Sequence, residues 1–209
     1  MFGLKISRNT TETSRVEAFS DGVLAIAITL LVLDIPIPDA HGDVGAQLQE
    51  AWPHYIAFVT AFLTIAVMWA NHHDLFRIID KTDRGLMLAN AFLLLTISFL
   101  PFPTAVLAEG IRESGSNRQA ALLTYGGTMF VIAIAYNTLW RYVKARGLLR
   151  DDLPDAAVRG VTRAYNRAFV VYAAALLLSF FNAWLSIAVW IGLAVFFQLF
   201  GYEPDEDEA

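Results

Sequence analysis

Long apolar runs alternate with short polar stretches along this chain. A bilayer core about 30 Å thick needs roughly 20 apolar residues in a helix. Six segments meet or approach that length: 16–35, 53–79, 85–107, 119–143, 164–181 and 184–200. The last two form one apolar stretch broken only at Phe181-Asn182-Ala183. A single helix of that length would overshoot the membrane, so a tight hairpin at Asn182 is predicted. The helix breakers agree with this map. Pro36 and Pro38 follow the first run, Pro101 and Pro103 lie in the outer part of the third, and Pro154 sits between the fourth and fifth. The pattern therefore predicts an all-α integral membrane protein with six transmembrane helices in a single domain, 1–202. The acidic tail 203–209 and residues 1–12 read as disordered and solvating.

Composition sharpens this picture. Of 209 residues, 56% are hydrophobic and 17% charged, with a mean hydropathy of +0.50. A soluble domain carries about a quarter charged residues. Cysteine is absent, which excludes disulfides and thiolate chemistry. The first run has no small-residue cleavage site and leads into Pro36, so it reads as a retained helix rather than a signal peptide. Basic residues set the orientation. Lys5, Arg8 and Arg15 precede helix 1, and Arg77, Lys81 and Arg84 occupy the turn between helices 2 and 3. Arg141, Lys144, Arg146, Arg150, Arg159, Arg163 and Arg167 surround the connection between helices 4 and 5. The opposite side holds only Arg112 and Arg118. Both termini are therefore expected in the cytoplasm. Because the basic residues follow membrane topology, nothing points to nucleic acid.

Helix 1 carries the informative polar chemistry. Asp21 lies inside a predicted span, where an unpaired charge is expensive. At about 100° per residue, Ala18, Gly22, Ala25 and Thr29 form a stripe of small residues. Beside it runs a bulkier stripe of Phe19, Val23, Ile26, Leu30 and Leu33, and Asp21 points about 160° from its middle. The bulky face thus meets copies of itself or open space, while the Asp21 face meets helices of its own subunit. Helix 1 runs outward and helix 2 inward, so Asp21 and His72 share a depth. A buried Asp21–His72–Asn90 hydrogen-bond cluster is expected there, with Asn71 and His73 as further polar neighbours. The pair His72-His73 is a poor metal site, because adjacent side chains diverge by about 100° on a helix. No metal or cofactor is expected.

Arg15-x-x-x-Phe19-Ser20-Asp21, followed by Ala25-Ile26-x-x-Thr29-Leu30, resembles the first-helix signature of the transmembrane protein 175 potassium channels. Trp69-x-x-His72 in helix 2, and Asn90 with Phe99-Leu100-Pro101-Phe102 in helix 3, resemble that family too. The resemblance implies a potassium-selective channel in a prokaryotic plasma membrane, assembled as a homotetramer with helix 1 lining a central pore. It also implies a hydrophobic filter instead of carbonyl ligands, with Ile26, Leu30 and Leu33 as the pore constriction and Thr29 as a polar contributor. K⁺ is then the permeant ion, and lipid and further copies of the chain are the partners. Arg15, Ser20, Asp21, His72 and Asn90 become a structural polar network. The constriction residues would form rings about 4.5–6 Å apart along an α-helix. Thr124-Tyr125-Gly126-Gly127 lies in helix 4 without a re-entrant pattern and does not supply a carbonyl filter.

Two other readings compete. A proton-coupled or other secondary transporter would use Asp21 and His72 as a titrating pair, yet transporters often show repeats and interrupted helices, and no repeat is visible here. An enzyme would need a nucleophile and base that the sequence does not bring together. At the outer end, Asp34, Asp39 and Asp43 follow helix 1, and Asp34 is expected to attract cations to the mouth.

Overall fold

A computed structural model describes residues 8–199, with side chains described over 12–196. Residues 1–7 and 200–209, the acidic tail 203–209 among them, lie outside the described residues. The architecture is entirely helical among those described: α1 (Arg8–Leu30), a 3-10 turn (Leu31–Asp34), α2 (Val44–Glu50), α3 (Trp52–Arg77), α4 (Arg84–Ser98), α5 (Pro101–Gly110), α6 (Ser116–Arg146), α7 (Asp155–Leu178) and α8 (Ala183–Leu199). Residues 8–12, expected to be disordered, form the first turns of α1.

Among the described residues four spans are long and apolar enough to cross a membrane: Glu12–Asp34, Trp52–Arg77, Arg84–Gly110 and Ser116–Arg146. The fifth apolar run begins earlier than hydropathy indicates, because α7 starts right after Pro154 and carries Arg159, Arg163 and Arg167 in its polar half. The apolar α8 is shorter, with its hydrophobic part at Ala183–Phe196. Between them Ser179 and Ser186 share a 2.7 Å hydroxyl contact, and Asn182 Oδ1 accepts the Leu185 N–H at 3.0 Å. The hairpin thus satisfies its polar groups locally, as an apolar surrounding requires.

The third predicted helix is broken. Proline has no N–H, and its ring excludes the preceding turn of helix. Accordingly α4 stops at Ser98, and α5 restarts with Pro101 in its first turn. Sequence patterning also passes over α2, a short polar helix whose N-terminal N–H of Ala46 is capped by Asp43 at 3.0 Å.

The core is built around α6. Leu122, Tyr125, Met129, Ile132, Leu139, Trp140 and Val143 are buried along its length, and it packs against α4, α5, α7 and α8. Trp140, near the end of the fourth apolar run, is 1% exposed and donates to Thr162 Oγ1 at 3.0 Å. Gly147 ends α6 in the left-handed region, at φ 62° and ψ 41°, where glycine carries no side-chain penalty. The turn sends the chain back towards the α3–α4 connection. There Ile79 and Leu149 form an antiparallel bridge, and Leu148 O accepts the Asp80 N–H at 3.0 Å. Helix α1 packs on α3 and α4 at the edge of this body.

Candidate functional site

One face of α1 is locked to its own chain and the other is bare. Ser20, Leu24, Ala27 and Leu31 are each at most 2% exposed. They recur every three or four residues, the spacing of one helical face. A second stripe, about 110–120° round the helix, carries Phe19 at 63%, Ile26 at 61%, Leu30 at 44% and Leu33 at 74% exposure. Ala18, Gly22, Ala25 and Thr29 are exposed beside it. Thr29 donates its hydroxyl proton back to Ile26 O at 2.9 Å, which leaves the hydroxyl lone pairs as acceptors.

The change from α-helix to 3-10 turn after Leu30 alters the expected spacing. A 3-10 segment has three residues per turn and about 2.0 Å rise, so side chains three apart eclipse one another. Leu33 therefore stands nearly in line with Leu30, about 6 Å further along, rather than the 4.5 Å of a continued α-helix.

A directional chain of hydrogen bonds fixes the rotation of α1. Ser20 Oγ donates to Val16 O at 2.8 Å and accepts from Asn90 Nδ2 at 2.8 Å. Asn90 Oδ1, already an acceptor by this assignment, meets His72 Nε2 at 2.8 Å, so Nε2 carries the proton. His72 is fully buried and stacks on Phe76 with centroids 4.4 Å apart. Three helices, α1, α3 and α4, are thereby joined through uncharged groups. Hydrogen bonds between buried groups in a low-dielectric interior hold one geometry strongly, although His72 Nδ1 is buried without a hydrogen-bond partner among the described residues.

Asp21 is not part of this chain, contrary to expectation. The buried position belongs to Ser20, one residue earlier, while the partly exposed Asp21 accepts the Trp69 indole N–H at 2.9 Å. Neither histidine bonds to Asp21: His72 faces Asn90, and His73 pairs with Glu17 at 2.7 Å. The physical reason is cost. A hydroxyl can return its proton to the preceding helical turn, whereas a buried carboxylate would need several donors. Arg15 is exposed and borders an open groove with Glu12, Phe19 and Met87. The sequence contained Trp69 as a motif residue but gave no sign that its indole would satisfy Asp21.

At the other end of α1, Asp34 closes the 3-10 turn. Its Oδ2 is buried and has no hydrogen-bond partner in the described structure. His54, at the start of α3, pairs with Glu109 of α5 through Nε2 at 3.2 Å, and its Nδ1 is likewise buried and unpartnered. Asp34 and His54 interact electrostatically, so a set of titratable groups surrounds this end of the helix. No group of three or more His, Cys, Asp or Glu side chains suited to a metal ion occurs among the described residues.

Membrane-length apolar helices, the first of them packed on one face and exposed on another, define an α-helical integral membrane protein. Residues 15–101 match the family described as Endosomal/lysosomal potassium channel TMEM175. A protein of Chamaesiphon minutus named a potassium channel is 42% identical over 194 residues, covering 90% of this chain and 95% of its own. The crystal structure of a lysosomal potassium-selective channel TMEM175 homolog from Chamaesiphon minutus gives a TM-score of 0.81 at 39% identity, covering 90% of this chain and 97% of that one. A Gallus gallus relative named an endosomal/lysosomal proton channel is 37% identical over 134 residues, which is 27% of its length. The chain belongs to the TMEM175 family.

Proposed function

We propose that four copies of this chain form a potassium-selective channel in the plasma membrane of a prokaryote, with the bare face of α1 turned to a shared central pore. Each subunit contributes six spans, α7 and α8 supplying the last two, and both termini lie in the cytoplasm. The observation that carries this reading is the division of α1 into a locked face and an exposed aliphatic face. One helix cannot enclose a path for ions, so the face needs copies of itself. Ile26, Leu30 and Leu33 then form successive aliphatic rings.

Such rings offer no ligand to replace lost hydration. Passage depends on radius and on how readily an ion sheds water. K⁺ holds its hydration shell less tightly than Na⁺ and passes more easily. Thr29 supplies polar oxygens beside the rings, and Asp34 draws cations towards the mouth. Flux is passive, without chemical turnover. The transporter reading loses support because Asp21 and His72 each hold a different partner. The test is ion flux from purified protein in liposomes, with K⁺ and Na⁺ gradients compared, alongside mass measurement in mild detergent. A strictly monomeric particle, or flux that fails to follow the Nernst potential, would defeat the proposal.

A further inference from the structure

The basic residues at one end of the bundle differ in how they are used. Arg146 approaches Asp83 at 3.6 Å, Arg150 pairs with Asp152 at 2.6 Å, and Arg77 lies 3.8 Å from Asp74. Arg159, Arg163 and Arg167 of α7 are all exposed and make no ion pair or hydrogen bond among the described residues. Spaced by four, they lie within about 80° of one another on the helix. The same stripe continues through Val170, Ala174 and Leu177, which are exposed too, Val170 at 64% and Leu177 at 60%. Beside it, Arg141 of α6 donates through Nη2 to Asn166 Oδ1 at 3.2 Å. That bond leaves the other guanidinium donors of Arg141 unused and brings a fourth positive charge to the α6–α7 surface.

We propose that this α7 stripe binds an anionic phospholipid, its headgroup phosphate held by Arg159, Arg163 and Arg167 beside Arg141, and its acyl chains lying along Val170, Ala174 and Leu177. Guanidinium groups offer planar paired donors that match phosphate oxygens. Long arginine side chains near a helix end also reach back to the headgroup layer while their stems stay apolar. From Arg167 to Leu177 the helix rises about 15 Å, comparable to half of a hydrocarbon core of about 30 Å. The apolar part of the stripe therefore has the reach of one leaflet. A free phosphate ion would satisfy the arginines and leave this apolar part uncovered. The acidic segment 203–208 of the same chain would do likewise, since Pro204 is its single apolar side chain. Only a molecule with a charged head and long apolar tails matches both halves. The inference rests on the chain spanning a membrane and not on the identity of the pore.

The test uses the full-length protein in mild detergent, equilibrated with equal amounts of phosphatidylglycerol and phosphatidylcholine, with bound lipid counted by native mass spectrometry. Wild type is expected to retain phosphatidylglycerol preferentially, and the preference should fall as ionic strength rises. Each arginine neutralised in R159Q, R163Q and R167Q should lower the preference about five-fold. Arg112→Gln, at the opposite end, should leave it unchanged. Size-exclusion profiles of all variants check that assembly is intact. Millimolar inorganic phosphate should not displace the lipid; displacement would make this an adventitious anion site and overturn the proposal. Wild type with no preference, or a triple variant that keeps it, would also overturn the proposal. A preference seen only after truncation at Tyr202 would assign the stripe to the acidic tail instead. K⁺ flux in phosphatidylcholine liposomes, measured on the same preparations, keeps failure of the channel reading distinguishable from failure of the lipid site.

Discussion

Ser20 of α1 and Asn90 of α4 share a 2.8 Å hydrogen bond between two buried side chains. This joint sets which face of α1 is left bare. Asn90→Ala should destabilise the assembly more than Ser20→Ala, because it removes two buried hydrogen bonds and strands the His72 N–H, while Ser20 keeps only its bond to Val16 O. A buried polar group left unpaired costs about 1–3 kcal/mol. Thermal unfolding in detergent, followed by size exclusion, should rank wild type above Ser20→Ala and Ser20→Ala above Asn90→Ala. If Ser20→Ala kept its thermal stability but lost K⁺ preference, the network would be part of the permeation path instead.

For the constriction, truncation on the two faces of α1 should give different phenotypes. Ile26→Ala or Leu30→Ala is expected to raise conductance and bring K⁺ and Na⁺ permeabilities together, because a wider ring admits hydrated ions. Leu24 is 1% exposed within its own subunit, so Leu24→Ala should cost about 2–5 kcal/mol of stability and leave selectivity intact. Bi-ionic reversal potentials decide between these outcomes. Selectivity lost in Leu24→Ala but kept in the other two would show that the pore face is misassigned.

Asp34 should act on conductance through its charge. Asp34→Asn is expected to reduce single-channel K⁺ conductance at low salt and to matter little above roughly 1 M, where charges more than about 3 Å apart are screened. Equal conductance of variant and wild type at 10 mM KCl would place Asp34 away from the ion path.

Asp83 ties the α3–α4 turn to α6 and should make stability depend on acid. The Leu86 N–H, then the Tyr142 hydroxyl and the Arg146 guanidinium, hold its carboxyl below the usual aspartate range. The folded pKa is lowered, so this stabilisation is complete above the ordinary value of about 3.9. It is lost as pH falls through the lowered folded value. Asp83→Ala removes the N-cap of α4 and should cost about 0.5–2 kcal/mol at pH 7. The gap between variant and wild-type melting temperatures should narrow as pH falls below the ordinary aspartate range.

Gly85→Ala should loosen the same corner, since a Cβ there would collide with the Tyr142 ring and hydroxyl. Tyr142 would have to leave Asp83, to which it donates at 2.9 Å. A tyrosine environment unchanged by ultraviolet absorption or fluorescence in Gly85→Ala would contradict this arrangement.

Much of the fold is legible in the sequence because a membrane-crossing helix must be apolar over its whole span. That signal fades where helices leave the membrane. The polar first half of α7 and the short α2 carry no long apolar run, so hydropathy passes over both. Pro101 and Pro103 are visible as breakers, but their effect, two helices sharing one span, depends on how the freed backbone groups find partners. For the site, the stripe of Ile26, Leu30 and Leu33 follows from spacing alone. The choice between Ser20 and Asp21 does not. The two differ by only about 100° around the helix, and the outcome turns on Trp69 and Asn90 in other helices. Trp140 lies near the end of an apolar run, where amphipathic rings favour the headgroup layer, yet the hydroxyl of Thr162 on α7 lets its N–H be buried.

The bridge between Ile79 and Leu149 has a consequence for how the protein is made. The turn after α3 is held by backbone that leaves the ribosome about seventy residues later. At about 5–20 residues per second, that delay is on the order of 4–14 s. When it begins the first two spans are already synthesised, and the third and fourth follow within it, while the N–H of Asp80 still lacks the carbonyl it will finally meet. The nascent chain is thus committed to the membrane well before its first turn is fastened, and a ribosome stalled within α6 would release a protein whose opening helices have no clasp.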